Sequence, residues 1–126
     1  MTQDELKERF RVFSVRIIKM VNAMPNSIAS NAIAKQIIRS GTSPAAKYRA
    51  ACLAKSDKDF INKLKMVEEE IDETNHWLGI IIDAEILPKY KVQNLFDESL
   101  ELYKIISKSL VTAKKKLDIT TRESFL

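Results

Sequence analysis

The chain has 126 residues, enough for one domain with a single hydrophobic core. Hydrophobic residues make up 45% of it and charged residues 30%, which is typical of a folded globular protein and argues against disorder. With 2 Gly and 3 Pro, the chain lacks the turn residues that a β-sandwich or β-barrel needs. Cys52 is the single cysteine, which excludes an intramolecular disulfide, and no apolar run reaches the ~20 residues that span a bilayer.

Apolar residues spaced by three and four predict a first helix from about Thr2 to Ala23. Pro25 follows this segment and ends the helix, because proline is not tolerated in a helix interior. The predicted buried stripe consists of Leu6, Phe10, Phe13, Ile17, Met20 and Met24.

The second predicted helix runs from about Ser27 to Ala54 and is rich in alanine. Small side chains let helix axes approach closely, so we expect this helix to lie centrally among its neighbours. Two interpretations compete at its Gly41–Pro44 segment. Either Ser43 caps a new helix with Pro44 at its first position, or one long helix is kinked near Gly41–Pro44. We favour the kinked helix, because the apolar pattern resumes in register.

The third and fourth helices show the same apolar spacing. Ser56 is the expected N-cap of the third helix, which should stop near Ala84, and the fourth follows Pro88. The third stripe is Phe60, Leu64, Val67, Ile71, Thr74, Leu78 and Ile81. The fourth is Val92, Phe96, Ser99, Tyr103, Ile106, Leu110 and Ala113. Lys114–Lys116 should close the fourth helix, since cations suit a helix C-terminus.

Short connections make sequential helices antiparallel neighbours. The sequence therefore predicts an all-α fold, an antiparallel up-down-up-down four-helix bundle over residues 1–116. Residues 117–126 lack a clear pattern and are predicted to be a loose tail.

The net charge of +4 is unevenly distributed. Residues 1–63 hold 12 basic and 5 acidic residues, and residues 64–126 hold 9 basic and 12 acidic residues. Antiparallel packing of helices 2 and 3 places Arg39 opposite Asp72 and its neighbours. The favoured interpretation is a ladder of ion pairs that fixes helix register. The alternative is a polar site at the break, with candidate residues Arg39, Thr42, Ser43, Arg49, Glu69, Asp72 and Glu73.

The sequence contains few residues that could bind a metal or catalyse a reaction. One His and one Cys cannot build a four-ligand zinc site in one chain. Glu73 and His76 form one half of the helical di-iron signature, which needs two copies. Gly41 and Gly79 alone cannot form a phosphate loop. We therefore predict no cofactor, no metal and no catalytic residue. The alternative function is a small-ligand or metal-binding bundle that uses the polar cluster, with His76 shared across subunits.

Basic residues suggest nucleic-acid contacts, although helix 3 is acidic and no DNA-reading motif is present. The candidate contacts are Lys35, Lys47, Lys114, Lys115 and Lys116. Helices 1 and 3 also carry more apolar residues than one stripe needs, such as Val12, Val15, Ile18 and Met66. This surplus favours a homo-oligomer.

Three ordered blocks carry a resemblance to a known family. The first is Lys35–Ser43 followed by Tyr48–Ala51. The second is Ala54–Ser56 followed by Asp59–Ile61 and Lys63–Leu64. The third comprises Glu68–Glu70, Asp72–Thr74 and Trp77–Leu78. Together they resemble the bacterial 23S rRNA intervening-sequence protein (S23-like) family over about Leu6 to Lys115.

The resemblance implies a homopentameric four-helix bundle in the bacterial cytoplasm. Relatives that accompany diversity-generating retroelements look like basic pentameric barrels that bind nucleic acid and a reverse transcriptase. This chain departs from the family pattern at Lys47, where Asn is usual, and at Pro44, where Val or Ile is frequent. No catalytic residues are established for the family, so the resemblance implies none here. We therefore expect a non-enzymatic homo-oligomeric scaffold that engages RNA, DNA or a nucleoprotein.

Overall fold

The structure, a computed structural model, describes residues 1–124, without the side chains at positions 120, 121, 123 and 124. Within this range the chain forms four helices and no strand. The helices are α1 (Gln3–Asn22), α2 (Ile28–Cys52), α3 (Asp57–Asp83) and α4 (Lys89–Ser124). The predicted all-α class is confirmed.

The first three helices begin at side-chain caps. Each cap hydroxyl accepts a hydrogen bond of 3.1 Å from the backbone N–H three residues later, which satisfies one of the unpaired donors of the first turn. The caps are Thr2, Ser27 and the predicted Ser56.

A Schellman motif ends α3 and sets the direction of the chain into α4. The Ile86 N–H donates to the Ile81 carbonyl at 3.0 Å, and the Glu85 N–H donates to the Ile82 carbonyl at 3.1 Å. Glu85 takes a φ of 55°, a left-handed conformation that usually favours glycine.

Consecutive helices are packing neighbours, and α1 meets α4 along a thinner seam. This arrangement is consistent with a four-helix bundle. Lys47 lies further along α2 than Arg39 but pairs with an earlier residue of α3, as antiparallel helices require.

The core follows the predicted stripes of α1 and α3 closely and that of α4 only in part. Phe10, Phe13 and Ile17 are almost completely buried, as predicted. On α4, however, Leu95 and Leu102 are buried in place of the predicted Phe96 and Tyr103, which are only half-buried. The predicted stripe and the observed stripe otherwise contain the same buried residues, so helical spacing alone could not decide between them.

Helix α2 continues without interruption through Pro44, so the interpretation in which Ser43 caps a new helix is wrong. Pro44 has no N–H to offer the Ser40 carbonyl. The Thr42 and Ser43 hydroxyls donate to the carbonyls four residues before them, at 2.6 and 2.7 Å. The kink near Gly41–Pro44 stays a prediction.

Helix α4 is longer than the sequence pattern predicts. It continues past Lys114–Lys116 to Ser124, so residues 117–124 are helical where a loose tail was expected. The lysines suit a helix end but do not stop a helix, and no Gly or Pro follows them. Leu117 packs against the core, and the last two residues of the predicted tail lie outside the described range. None of the helices in residues 1–124 is long and apolar enough to cross a membrane.

Candidate functional site

Two ion pairs join α2 to α3. Arg39 Nη2 donates to Glu73 Oε2, and Lys47 Nζ donates to Glu70 Oε1. The Trp77 indole N–H also donates to Glu73 Oε2, at 3.2 Å. This is the kind of arrangement that the ion-pair interpretation predicts, and the partner of Arg39 is Glu73, the neighbour of Asp72.

The surroundings of Glu73 favour its charged form. Partial burial raises the pKa of its carboxyl, but hydrogen bonds from Arg39 and Trp77, with the charges of Arg39 and His76, outweigh burial and lower that pKa. The hydrogen bond to Glu73 in turn raises the pKa of Arg39. Glu73 is therefore ionised at neutral pH.

The rest of the predicted polar cluster is not assembled. Thr42 and Ser43 use their hydroxyls on carbonyls of their own helix. Glu69 and Asp72 are exposed, and no hydrogen bond or ion pair joins them to α2 among the described residues. Arg49 is also exposed and lines a cavity between α1 and α2, away from the acidic run. Of the seven candidate residues, the structure pairs only Arg39 and Glu73.

A buried polar layer crosses the bundle nearby. The Thr74 hydroxyl donates to the Glu70 carbonyl at 2.8 Å and lies 3.0 Å from the Ser40 hydroxyl. Asn75 donates to the Ser99 hydroxyl of α4 at 2.9 Å. These contacts satisfy buried hydroxyls and fix the register of three helices, since an unpaired buried polar group is costly. The sequence pattern includes Thr74 and Ser99 but misses Ser40.

The metal-binding alternative has no ligand set in the described part of the chain. No group of three or more His, Cys, Asp and Glu side chains there could hold an ion. The His76 ring packs edge-on against Trp77, with centroids 4.9 Å apart.

Cys52 is half-buried beside Tyr48, and burial together with the hydrogen bond to Cys52 raises the pKa of the Tyr48 hydroxyl.

The exposed face of α4 carries a line of cations that we call the α4 basic stripe, formed by Lys104, Lys108, Lys115 and Arg122. Their spacings of 4, 7 and 7 residues keep them within about 40° of one line along about 27 Å of helix. The three lysines have no ion-pair partner within residues 1–124. The sequence pattern pointed to Lys114–Lys116 and not to this line, whose last member, Arg122, falls in the segment predicted to be a loose tail.

The candidate nucleic-acid contacts do not form one patch. Lys47 is paired with Glu70, whereas Lys35 is exposed on α2. Lys114, Lys115 and Lys116 are exposed on α4. Lys116 lines cavities with Lys55 and with Lys108, at the bundle end where α2 passes to α3.

Comparison with known proteins places this bundle among its relatives. The model of the 23S rRNA-intervening sequence protein family matches residues 3–108, most of the chain. The chain belongs to this family. It is also similar to a protein with unknown function of the S23 ribosomal protein family from Bacteroides thetaiotaomicron VPI-5482, whose crystal structure was determined at 1.70 Å. The two are 33% identical with a TM-score of 0.78, over 83% of this chain and 97% of the other. No curated protein matches the sequence.

The match to the 23S rRNA-intervening sequence protein family ends at Lys108, within α4. Lys104 and Lys108 lie inside the matched region, and Lys115 and Arg122 lie beyond it. The end of the α4 basic stripe is therefore a feature of this chain outside the family match. No catalytic assignment accompanies the family description or the structural neighbour.

Proposed function

We propose that this chain is a non-enzymatic, homo-oligomeric scaffold of the cytoplasm that binds the phosphate backbone of RNA or DNA. The α4 basic stripe carries this proposal, because its lysines are exposed and have no acidic partner in the described chain. Cations of this kind replace counterions on phosphates and drive binding that depends strongly on salt. The family description, which refers to 23S rRNA, makes RNA the first ligand to test.

The basic residues of α2 and α4 differ in whether they are ion-paired within the protein. Arg39 and Lys47 are paired with acids of α3, so contact with a phosphate would have to break those pairs. Lys104, Lys108 and Lys115 lie on one outward line that a nucleic-acid strand can follow. Of the two helices that carry the candidate contacts, α4 is therefore the better surface for a nucleic acid.

Binding of a labelled RNA duplex at increasing salt tests the proposal. The variant Lys104→Gln/Lys108→Gln/Lys115→Gln should bind more weakly and lower the salt slope of binding by about 2 to 3, because about three phosphate contacts are lost. A control, Lys58→Gln/Lys65→Gln/Lys89→Gln, removes the same charge elsewhere. Equal weakening by both variants, or no binding by the wild type at low salt, would reject the α4 basic stripe as the site.

The homo-oligomer proposal rests on the outward face of α1. Val12, Val15 and Ile18 are 46%, 40% and 40% exposed although they are apolar. A row of exposed apolar residues on one helix face is typical of a protein contact surface. We expect this face to pack against another copy of the chain in a closed ring, with the pentamer favoured.

Light scattering at micromolar concentration tests this assembly. The wild type should have about five times the chain mass of 14.4 kDa. Val15→Lys/Ile18→Lys should reduce that mass, because buried lysines without partners oppose association. The control Ile28→Lys changes an isolated residue that is 94% exposed and should leave the mass unchanged. A wild-type mass of 14.4 kDa would contradict the proposal.

A further inference from the structure

A cavity of 350 Å³ opens where the end of α1 meets the start of α4. It lies in the seam where these two helices pack only thinly. Its volume is within the range of pockets that hold small organic molecules. The residues around it divide into a cationic rim and an apolar floor.

Three cations form the rim, and no carboxylate lines the cavity. Lys19 and Lys91 are exposed and Arg16 is half-buried, and none has an ion-pair partner among the described residues. The acid further along this side of α4, Glu98, is held by Arg9 through two hydrogen bonds of 2.7 and 2.8 Å. The rim is therefore an excess of positive charge that this part of the fold does not neutralise.

Helix stability does not explain the charge on α4. Lys91 and Lys89 lie in its first turn, which contains no acid, although cations at that end oppose the helix dipole. Lys19 does suit the last turn of α1, but its charge adds to the repulsion at the rim. An anion between the two helices would offset both effects.

The floor of the cavity is apolar. Met20, Leu87 and Leu95 line it and are buried in the core, at 7%, 6% and 4% exposure. A free phosphate gains nothing from such a floor, whereas a molecule with an apolar body does. The α4 basic stripe lies on an open helix surface without such an apolar floor. The cavity therefore suits a different ligand from a nucleic-acid backbone.

We infer that this cavity binds a small organic phosphate monoester, with its apolar body on the floor and its phosphate between Arg16, Lys19 and Lys91. A phosphate monoester carries a charge of about −1.5 to −2 at pH 7 and offers three acceptor oxygens. A carboxylate of charge −1 would leave more of the rim uncompensated. This site uses none of the residues of the α4 basic stripe, so it can hold or fail separately from the proposed nucleic-acid binding.

Calorimetry on the full chain with phenyl phosphate tests the ligand class. Phenyl phosphate should bind at least about tenfold more tightly than inorganic phosphate or phenol, because only it uses both rim and floor. Equal affinity for phenyl phosphate and inorganic phosphate, or no binding of either, would overturn the inference. Displacement of phenyl phosphate by an RNA duplex would also overturn it and assign the rim to nucleic acid.

Matched variants locate the site. Lys91→Gln and, on the other helix, Arg16→Gln should each weaken phenyl phosphate binding about tenfold through the loss of a charge-assisted contact. Lys65→Gln removes the same charge from α3, outside both the cavity and the α4 basic stripe, and should change binding less than about twofold. Solution mass and helix content, measured for each variant, separate lost binding from lost assembly. Equal weakening by Lys91→Gln and Lys65→Gln would reject the cavity as the site.

Discussion

Gly41 lets α1 and α2 pack closely, because it has no side chain at the point where α2 meets Ile17. A Cβ placed there would lie 2.9 Å from both Cγ atoms of Ile17, which is completely buried on α1. Ile17 is stiff at χ1, and its Cγ atoms lie close to its own backbone, so it cannot easily move away. A Cβ at Gly79, in contrast, would lie 3.6 Å from the Phe96 ring, an ordinary contact distance.

The two glycines therefore form a matched pair for substitution. Gly41→Ala should destabilise the protein, because overpacking costs about 1–3 kcal/mol and the gain in helix propensity is about 1 kcal/mol. Gly79→Ala should stabilise it by about 0.5–1 kcal/mol, since propensity acts there without a clash. Urea unfolding of both variants measures the difference. A stabilising Gly41→Ala would show that α1 and α2 can separate freely.

Ion pairing between α2 and α3 makes stability depend on pH. Hydrogen bonding and charge keep the pKa of Glu73 below its ordinary value of 4.5 in the folded state. The unfolded chain therefore takes up this proton first as pH falls. The stabilisation from Glu73 is present at neutral pH and is lost as pH falls below 4.5.

Glu73→Gln should remove this part of the acid sensitivity. Because Arg39 and Glu73 are both partly exposed, solvent screens the pair, and we expect a small contribution to stability at pH 7 that is absent at pH 3. Urea unfolding at pH 7 and pH 3 measures it, and Glu69→Gln serves as a control on the exposed side of the same helix. If both variants lose stability in parallel with the wild type on acidification, the Arg39–Glu73 pair contributes nothing.

Sequence periodicity predicted the helices better than it predicted their ends and their exact buried side. The stripes of α1 and α3 are largely correct, although Ile61 is buried where Phe60 was predicted. On α4, Leu95 and Phe96 are adjacent apolar residues, and only packing against the neighbouring helices decides which is buried. The sequence pattern ended α4 too early, because its last residues are helical although they show neither an apolar repeat nor a stop signal.

The candidate site was predictable only where charge and helix geometry act together. Antiparallel packing predicts that Arg39 faces Asp72 and its neighbours, and only the helix geometry selects Glu73 among them, since each residue turns a side chain by about 100°. The α4 basic stripe depends on the true length of α4. The cavity rim combines Arg16 with Lys91, which are distant in sequence and meet only across the α1–α4 seam.

The α1–α4 seam is the thinnest contact between neighbouring helices of the bundle, and among the described side chains one ion pair crosses it. Arg9 and Glu98 form a forked pair with 27% and 19% side-chain exposure, which places it partly out of solvent. The hydrogen bonds to Glu98 raise the pKa of the Arg9 guanidinium. A forked pair of this kind fixes the orientation of α1 relative to α4 and joins the first helix of the bundle to the last.

Arg9→Met should therefore loosen α1 more than the rest of the molecule. It keeps much of the aliphatic bulk but leaves Glu98 without its partner, at a cost of about 1–3 kcal/mol. Hydrogen exchange should become faster in α1, while α3, which packs against two helices, keeps most of its protection. Arg11→Met is the control, because the pair of Arg11 with Glu8 is exposed and lies within α1. A uniform rise in exchange across all four helices would show that the bundle opens as one unit and that the seam has no separate role.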